Sequence, residues 1–118
     1  MYNYVMLIGR VCQDVEVQKG TNNVEYTKIT LACQRPFKNN ETNQYDTDFV
    51  PVTLFDTLCN IASERIHKGD LVALKGRLQT NNVELAKGPK INALSVICER
   101  IALISPYKAK ESKEEESL

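Results

Sequence analysis

The chain has no tryptophan, one histidine and no surplus of charge: fifteen basic and fifteen acidic side chains cancel over 118 residues. The even balance leaves no bulk electrostatic signature of a polyanion binder, so any such binding must rest on where charges sit and on stacking. A single histidine, His67, with scattered acids and no Gly-rich phosphate loop leaves no catalytic constellation, and the chain is expected to be no enzyme. Cys12, Cys33, Cys59 and Cys98 stand 21, 26 and 39 residues apart without a C-x-x-C pair, which is poor spacing for a metal. They are expected to be reduced, structural cysteines, and neither metal nor cofactor is expected. No apolar run approaches the ~20 residues of a membrane span, and the start lacks the pattern of a signal peptide. The expectation is a cytoplasmic protein with no membrane partner.

What is present is enough chain for one domain with a core of its own. Thr47 to Phe55 alternates strictly: Val50, Val52 and Leu54 fall on one face, and Phe49, Pro51, Thr53 and Phe55 on the other. A strand's side chains repeat every two residues, so the aliphatic set enters a core while two phenyl rings stay outside. Rings six residues apart on the polar face do little for folding, but they suit stacking on flat ligands such as nucleobases.

The remaining segments frame that strand. Tyr4 to Val11 is a first, mostly buried strand, in which Gly9 suggests a bulge or close backbone approach. The turn signal at 18–23 leads to a second strand over 24–34, with Ile29, Leu31 and Cys33 inward and Tyr26, Lys28 and Thr30 outward. Residues 35–46 have the composition of a long loop, where Arg35 and Lys38 flank Phe37. That ring either stacks on a ligand or pins the loop, and its basic neighbours favour stacking. Leu58, Ile61, Ala62 and Ile66 predict one short helix, capped by Asp56 or Thr57 and ended by Lys68-Gly69, with His67 complementing its dipole. Leu71 to Leu78 is a fourth strand, 79–90 a second long connection and 91–104 the last strand. The fold class is therefore all-β: a five-stranded OB-fold barrel with one short helix between strands 3 and 4.

Several ordered segments resemble the bacterial single-stranded DNA-binding protein family. They are Asn3 to Val11 followed by Asp14, Leu31 to Arg35, Asp48 to Val52, Lys68 to Val72, and Gly76 to Thr80. The resemblance covers residues 1–104 and implies a single-stranded DNA-binding domain there, with 105–118 a short charged tail. It also implies a homotetramer that works without sequence preference in replication, recombination and repair. Phe37, Phe49 and Phe55 match three base-stacking positions of the family, while Val83 falls where a fourth aromatic often sits. Lys68 and Arg77 keep family cations, whereas Thr57 and Asn81 lie where some members carry one. Arg10, Arg35, Lys38, Lys75 and Lys90 are further phosphate candidates, chosen from charge and expected facing.

The tail carries three lysines against four glutamates, which leaves twelve basic and eleven acidic side chains in the body. Family members usually end in an acidic tip with a Pro-Phe anchor that docks replication and repair proteins. Here Glu114-Glu115-Glu116 precedes Ser117-Leu118, so this end is either a minimal docking tip or a solvated end with no specific role. Two other uses of the same surface stay open: a protein-interaction barrel and an RNA-binding accessory module.

Overall fold

A computed structural model describes residues 1–84 and 90–107, with backbone alone for 82–84 and 90–92. Period-two alternation produces strands β1 (Val5–Val11), β3 (Glu25–Lys38), β4 (Tyr45–Phe55), β5 (Leu71–Glu84) and β6 (Lys90–Ser105). A two-residue strand β2 (Gln18–Lys19) and helix α1 (Asp56–Arg65) complete the set. The strands run β1-β5-β6-β4-β3-β2, and β1 also pairs with β3 at Arg10↔Ala32 and Val11↔Leu31, which closes the barrel. The β4–β6 pairing is parallel and the others antiparallel. The architecture is the expected OB-fold barrel, with its helix after the third long strand.

The inward residues of each strand meet in one core: Val11, Ile29, Leu31, Val52, Leu54, Val72 and Leu74 are buried. Cys59, Ala62 and Ile66 join them from the helix side. Their spacing of three and four residues keeps them on one helical face, but the face is rotated from the one expected. Ile61 is exposed and Leu58 half-buried, so Cys59 takes the inward place. The expected caps are also overturned. Phe55 occupies the N-cap position in extended conformation without a side-chain bond, and Asp56 takes a positive φ of 52°. Strand β4 runs straight into the helix, so one residue must make the turn, and Asp tolerates that region better than most.

Both connections expected to be long are shortened by strand at their ends. β3 continues to Lys38 and β4 begins at Tyr45, with a register irregularity between Gln34 and Lys38, leaving residues 39–44 as the turn. Strand β5 continues to Glu84 against Lys90, so 79–84 pairs with the start of β6. Two-stranded ribbons outside a barrel satisfy their backbones by pairing while exposing both faces, so polar composition is no obstacle.

Helix α1 ends earlier than expected, at Arg65 with Ile66 already extended, and Gly69, with φ 91°, makes the turn that follows. The adjacent carboxylate of Asp70 is buried; Oδ2 accepts the His67 backbone N–H at 2.9 Å and Oδ1 accepts that of Tyr107 at 2.9 Å. It therefore ties the turn after the helix to the chain leaving β6. Asp70→Ala should cost about 2 kcal/mol, about 1 kcal/mol for each stranded N–H, read as a lower urea midpoint at constant m-value. An unchanged midpoint would show that water replaces the carboxylate. Residues 108–118, with the expected acidic docking end, lie outside the described residues.

Candidate nucleic-acid interface

Strand β4 sets the interface because its outward row meets the outward row of β3. Phe49 stands opposite Ala32, Pro51 opposite Thr30, Thr53 opposite Lys28 and Phe55 opposite Tyr26. Phe49 is 66% exposed and Phe55 40%, while Val52 and Leu54 between them are buried. The Tyr26 and Phe55 rings lie 6.5 Å apart, tilted by 45°. Beside them a cavity of about 470 Å³ is lined by Tyr26, Thr53, Phe55, Gln79, Asn81 and Ser95, among others. That volume lies in the range of pockets for small flat ligands, ~300–1,000 Å³.

Sequence reasoning put Tyr26 and Lys28 on the outward face without assigning them a role. Their signal is register: both face β4 residues of the ring-bearing row. Gln79 and Ser95 were also missed, because they face each other only through the β5–β6 pairing. Asn81, noted as a departure from the family's cation, lines the same cavity. Thr57 lies exposed in the first turn of α1.

The other candidates are spread more widely. Phe37 is 64% exposed near the end of β3, on the ribbon beyond the last barrel pairing. Lys38 Nζ lies 5.8 Å over the Tyr45 ring. Arg35 is engaged by Asp48: Nε lies 3.1 Å from Oδ2, Nη2 lies 2.9 Å from Oδ1, and Asp46 approaches Nη1 at 3.8 Å. The hydrogen bond holds the Asp48 carboxyl below its ordinary range and raises the guanidinium. Arg10 Nη1 donates to the Gly69 carbonyl at 3.0 Å. Lys75 lies 5.4 Å over the Tyr4 ring, in a depression shared with Met6 and Arg100. Lys68 lines a separate polar cavity with Asp14, Glu16 and Lys28. Arg77 Nη1 donates to Gln79 Oε1 at 2.9 Å, which brings it into the ring-bearing face. Strand β6 begins at Lys90, but the side chains of Lys90 and Val83 lie outside the described residues.

The four cysteines are free thiols, with Cys59 and Cys98 buried. Burial raises all the shifted thiols and takes Cys98 to about 11, so it stays protonated and serves as a small core side chain. No helix among the described residues is long and apolar enough to cross a membrane.

Residues 2–104 match the model of the single-strand binding protein family, and the chain belongs to that family. A relative in Streptococcus pyogenes serotype M18, named single-stranded DNA-binding protein 1, is 34% identical over 104 residues, covering 88% of this chain and 79% of the relative. A relative of the same name in Staphylococcus aureus (strain Mu50) is 28% identical over 115 residues, covering 98% and 73%.

Proposed function

We propose that this member of the single-strand binding protein family binds single-stranded DNA without sequence preference and shields it during replication, recombination and repair. The observation that carries this reading is the outward row of β4, where Phe49 and Phe55 stand exposed beside buried aliphatic neighbours. Every base offers a π-face, and stacking contributes about 1–3 kcal/mol per base whatever its identity. The chain acts as a binding protein and not as an enzyme. Its four free cysteines are consistent with the cytoplasm as its compartment.

Assembly as a homotetramer fits the free edge of β1. Val5 to Gly9 pair with β5 on one side and have no strand partner on the other among the described residues. Two such edges related by a two-fold axis continue the sheet across a dimer. Tyr4, Met6 and Ile8 are exposed along β1 and give that extended sheet an apolar face for a second dimer. The acidic end, Glu114 to Glu116, is proposed to recruit replication and repair proteins.

Filter binding to poly(dT) and to a duplex of equal length tests the reading. Retention of poly(dT) alone is expected. Retention of both equally, or of neither, overturns it, and neither would reassign the surface to a protein partner. The salt dependence should be shallow. Arg35 is held by Asp48, Arg10 by the Gly69 carbonyl, and Lys75 sits over Tyr4. With three or four cations engaged, the log–log slope should be about −2 to −3 per subunit, at roughly 0.7 per phosphate contact. A slope steeper than about −5 would show phosphate contacts dominating.

A further inference from the structure

The outward row of β3 runs beside the ring-bearing row of β4. Between the Ala32–Phe49 pair and the Tyr26–Phe55 pair, Lys28 is the one charged side chain on that face. It stands directly opposite Thr53, one step along the row from Tyr26 and Phe55. Diagonal neighbours on one face of an antiparallel pair lie about 7–8 Å apart, within reach of a long side chain. The Lys28 stem therefore carries its ammonium to the space over the Phe55 ring. Lys28 lines the same cavity as Phe55 and Tyr26.

The surroundings of Lys28 leave its charge available. It is exposed, and among the described residues its ammonium has no carboxylate partner and lies over no ring. Several other cations are engaged: Arg35 by Asp48, Lys38 over Tyr45 and Arg77 with Gln79. Across the cavity, Gln79 Nε2 donates to Asn81 Oδ1 at 3.3 Å, and Asn81 Nδ2 donates to Ser95 Oγ at 3.2 Å. That Gln79–Asn81–Ser95 row is an uncharged wall. Asp14 and Glu16 line the neighbouring polar cavity, which Lys28 also borders, and Asp14 there accepts the Lys68 backbone N–H at 3.0 Å.

We propose that Lys28 is the phosphate anchor of the ring-bearing face, gripping the backbone of the nucleotide whose base stacks on Phe55. The inference rests on the single-stranded DNA-binding reading above. A base on Phe55 brings its phosphate within a side chain's length of the ring, and the β3 side meets it with an available ammonium. That group is a compact point charge with three rotatable donors, so it holds a phosphate without constraining the base. Every nucleotide carries the phosphate, so the contact adds affinity and no sequence preference. Stacking and charge then act on one nucleotide and set where the strand sits on β4.

Poly(dT) affinity measured from low to high salt reads the contact directly. Lys28→Met keeps much of the stem and removes the charge, so its log–log slope should be shallower than the parent's by about 0.7 per subunit. That difference corresponds to affinity about 5-fold weaker at about 0.1 M salt, closing towards about 1 M. Lys28→Gln should behave alike, and Lys28→Arg should keep the parent slope. Because Lys28 is exposed, neither neutral variant should move the urea midpoint. Lys19→Met controls for net charge: Lys19 is exposed and faces Glu25, on the opposite side of the strands from Tyr26 and Lys28. It should keep the parent slope, because salt screens a charge that touches no phosphate. A parent slope in both Lys28→Met and Lys28→Gln overturns the anchor and leaves the proposed function standing. Equal shallowing in Lys19→Met also overturns it, since bulk charge would then carry the effect. Failure of the unmodified protein to bind poly(dT) overturns the proposed function itself.

Discussion

Gly76→Ala should lower the stability of the barrel by about 3 kcal/mol, at the upper end of what overpacking costs. A Cβ at Gly76 would stand 2.3 Å from the Ile97 carbonyl oxygen and 3.1 Å from its carbon. The obstacle is backbone of the neighbouring strand, so no side-chain rotation relieves it. The register shows why the approach is so close. Lys75 faces Arg100 but Gly76 faces Cys98, so β6 bulges at Glu99 just where β5 passes. A bulge sharpens the local twist and draws the two backbones together, which leaves room only for hydrogen. Gly9 is a milder case at the β1–β3 closure, where a Cβ would meet the Ala32 carbonyl oxygen at 2.7 Å and Cys33 Sγ at 2.9 Å. Urea denaturation of Gly76→Ala should give a lower midpoint with the m-value unchanged. A loss under about 1 kcal/mol would mean that β6 yields at the bulge at little cost.

The sequence contained the barrel wherever a strand has one dry face. Val52 and Leu54 against Phe49 and Phe55, and Ile29 and Leu31 against Lys28 and Thr30, carry a period of two because the core demands it on one side only. The ribbon at 35–38 has no dry face, its residues all being exposed. Residues 35–38 and 79–84 carry the composition of loops, yet 35–38 continue β3 to the Lys38↔Tyr45 pair and 79–84 pair with the start of β6. Helix α1 was legible as a helix, but with Cys59 as well as Ile61 available to the core, its rotation depended on how the barrel end received it. The parity of Phe49 and Phe55 was legible, while their surroundings were not. Tyr26 reaches Phe55 through the β3–β4 register, Asp48 reaches Arg35 across the same pair of strands, and the Gln79–Asn81–Ser95 row needs the β5–β6 register. Contacts across strands depend on long-range pairing, which local periodicity does not encode.

Replacing Phe49 and Phe55 together with alanine should weaken poly(dT) binding by about 2–6 kcal/mol, roughly 30-fold to 10⁴-fold, while stability falls by only about 1–2 kcal/mol. The stability half follows from exposure: Phe49, 66% exposed, uncovers little on truncation, and the loss comes from Phe55, which is 40% exposed and packs beside Tyr26. Phe55 supplies the N-cap position in extended backbone without a side-chain bond, and alanine adopts that conformation without strain. The affinity half follows from spacing. Six residues of strand place the two rings about 20 Å apart, far enough that they hold different bases and their losses add. Salt separates this effect from a lost phosphate contact. Stacking releases no counterions, so the double variant should keep the slope of the parent, whereas truncating an engaged lysine makes the slope shallower by about 0.7. Tyrosine at both positions preserves the π-face and should restore most of the affinity. If the double alanine variant melts well below the parent while its poly(dT) affinity holds, the rings belong to the fold and the β4 face is not where the strand lies.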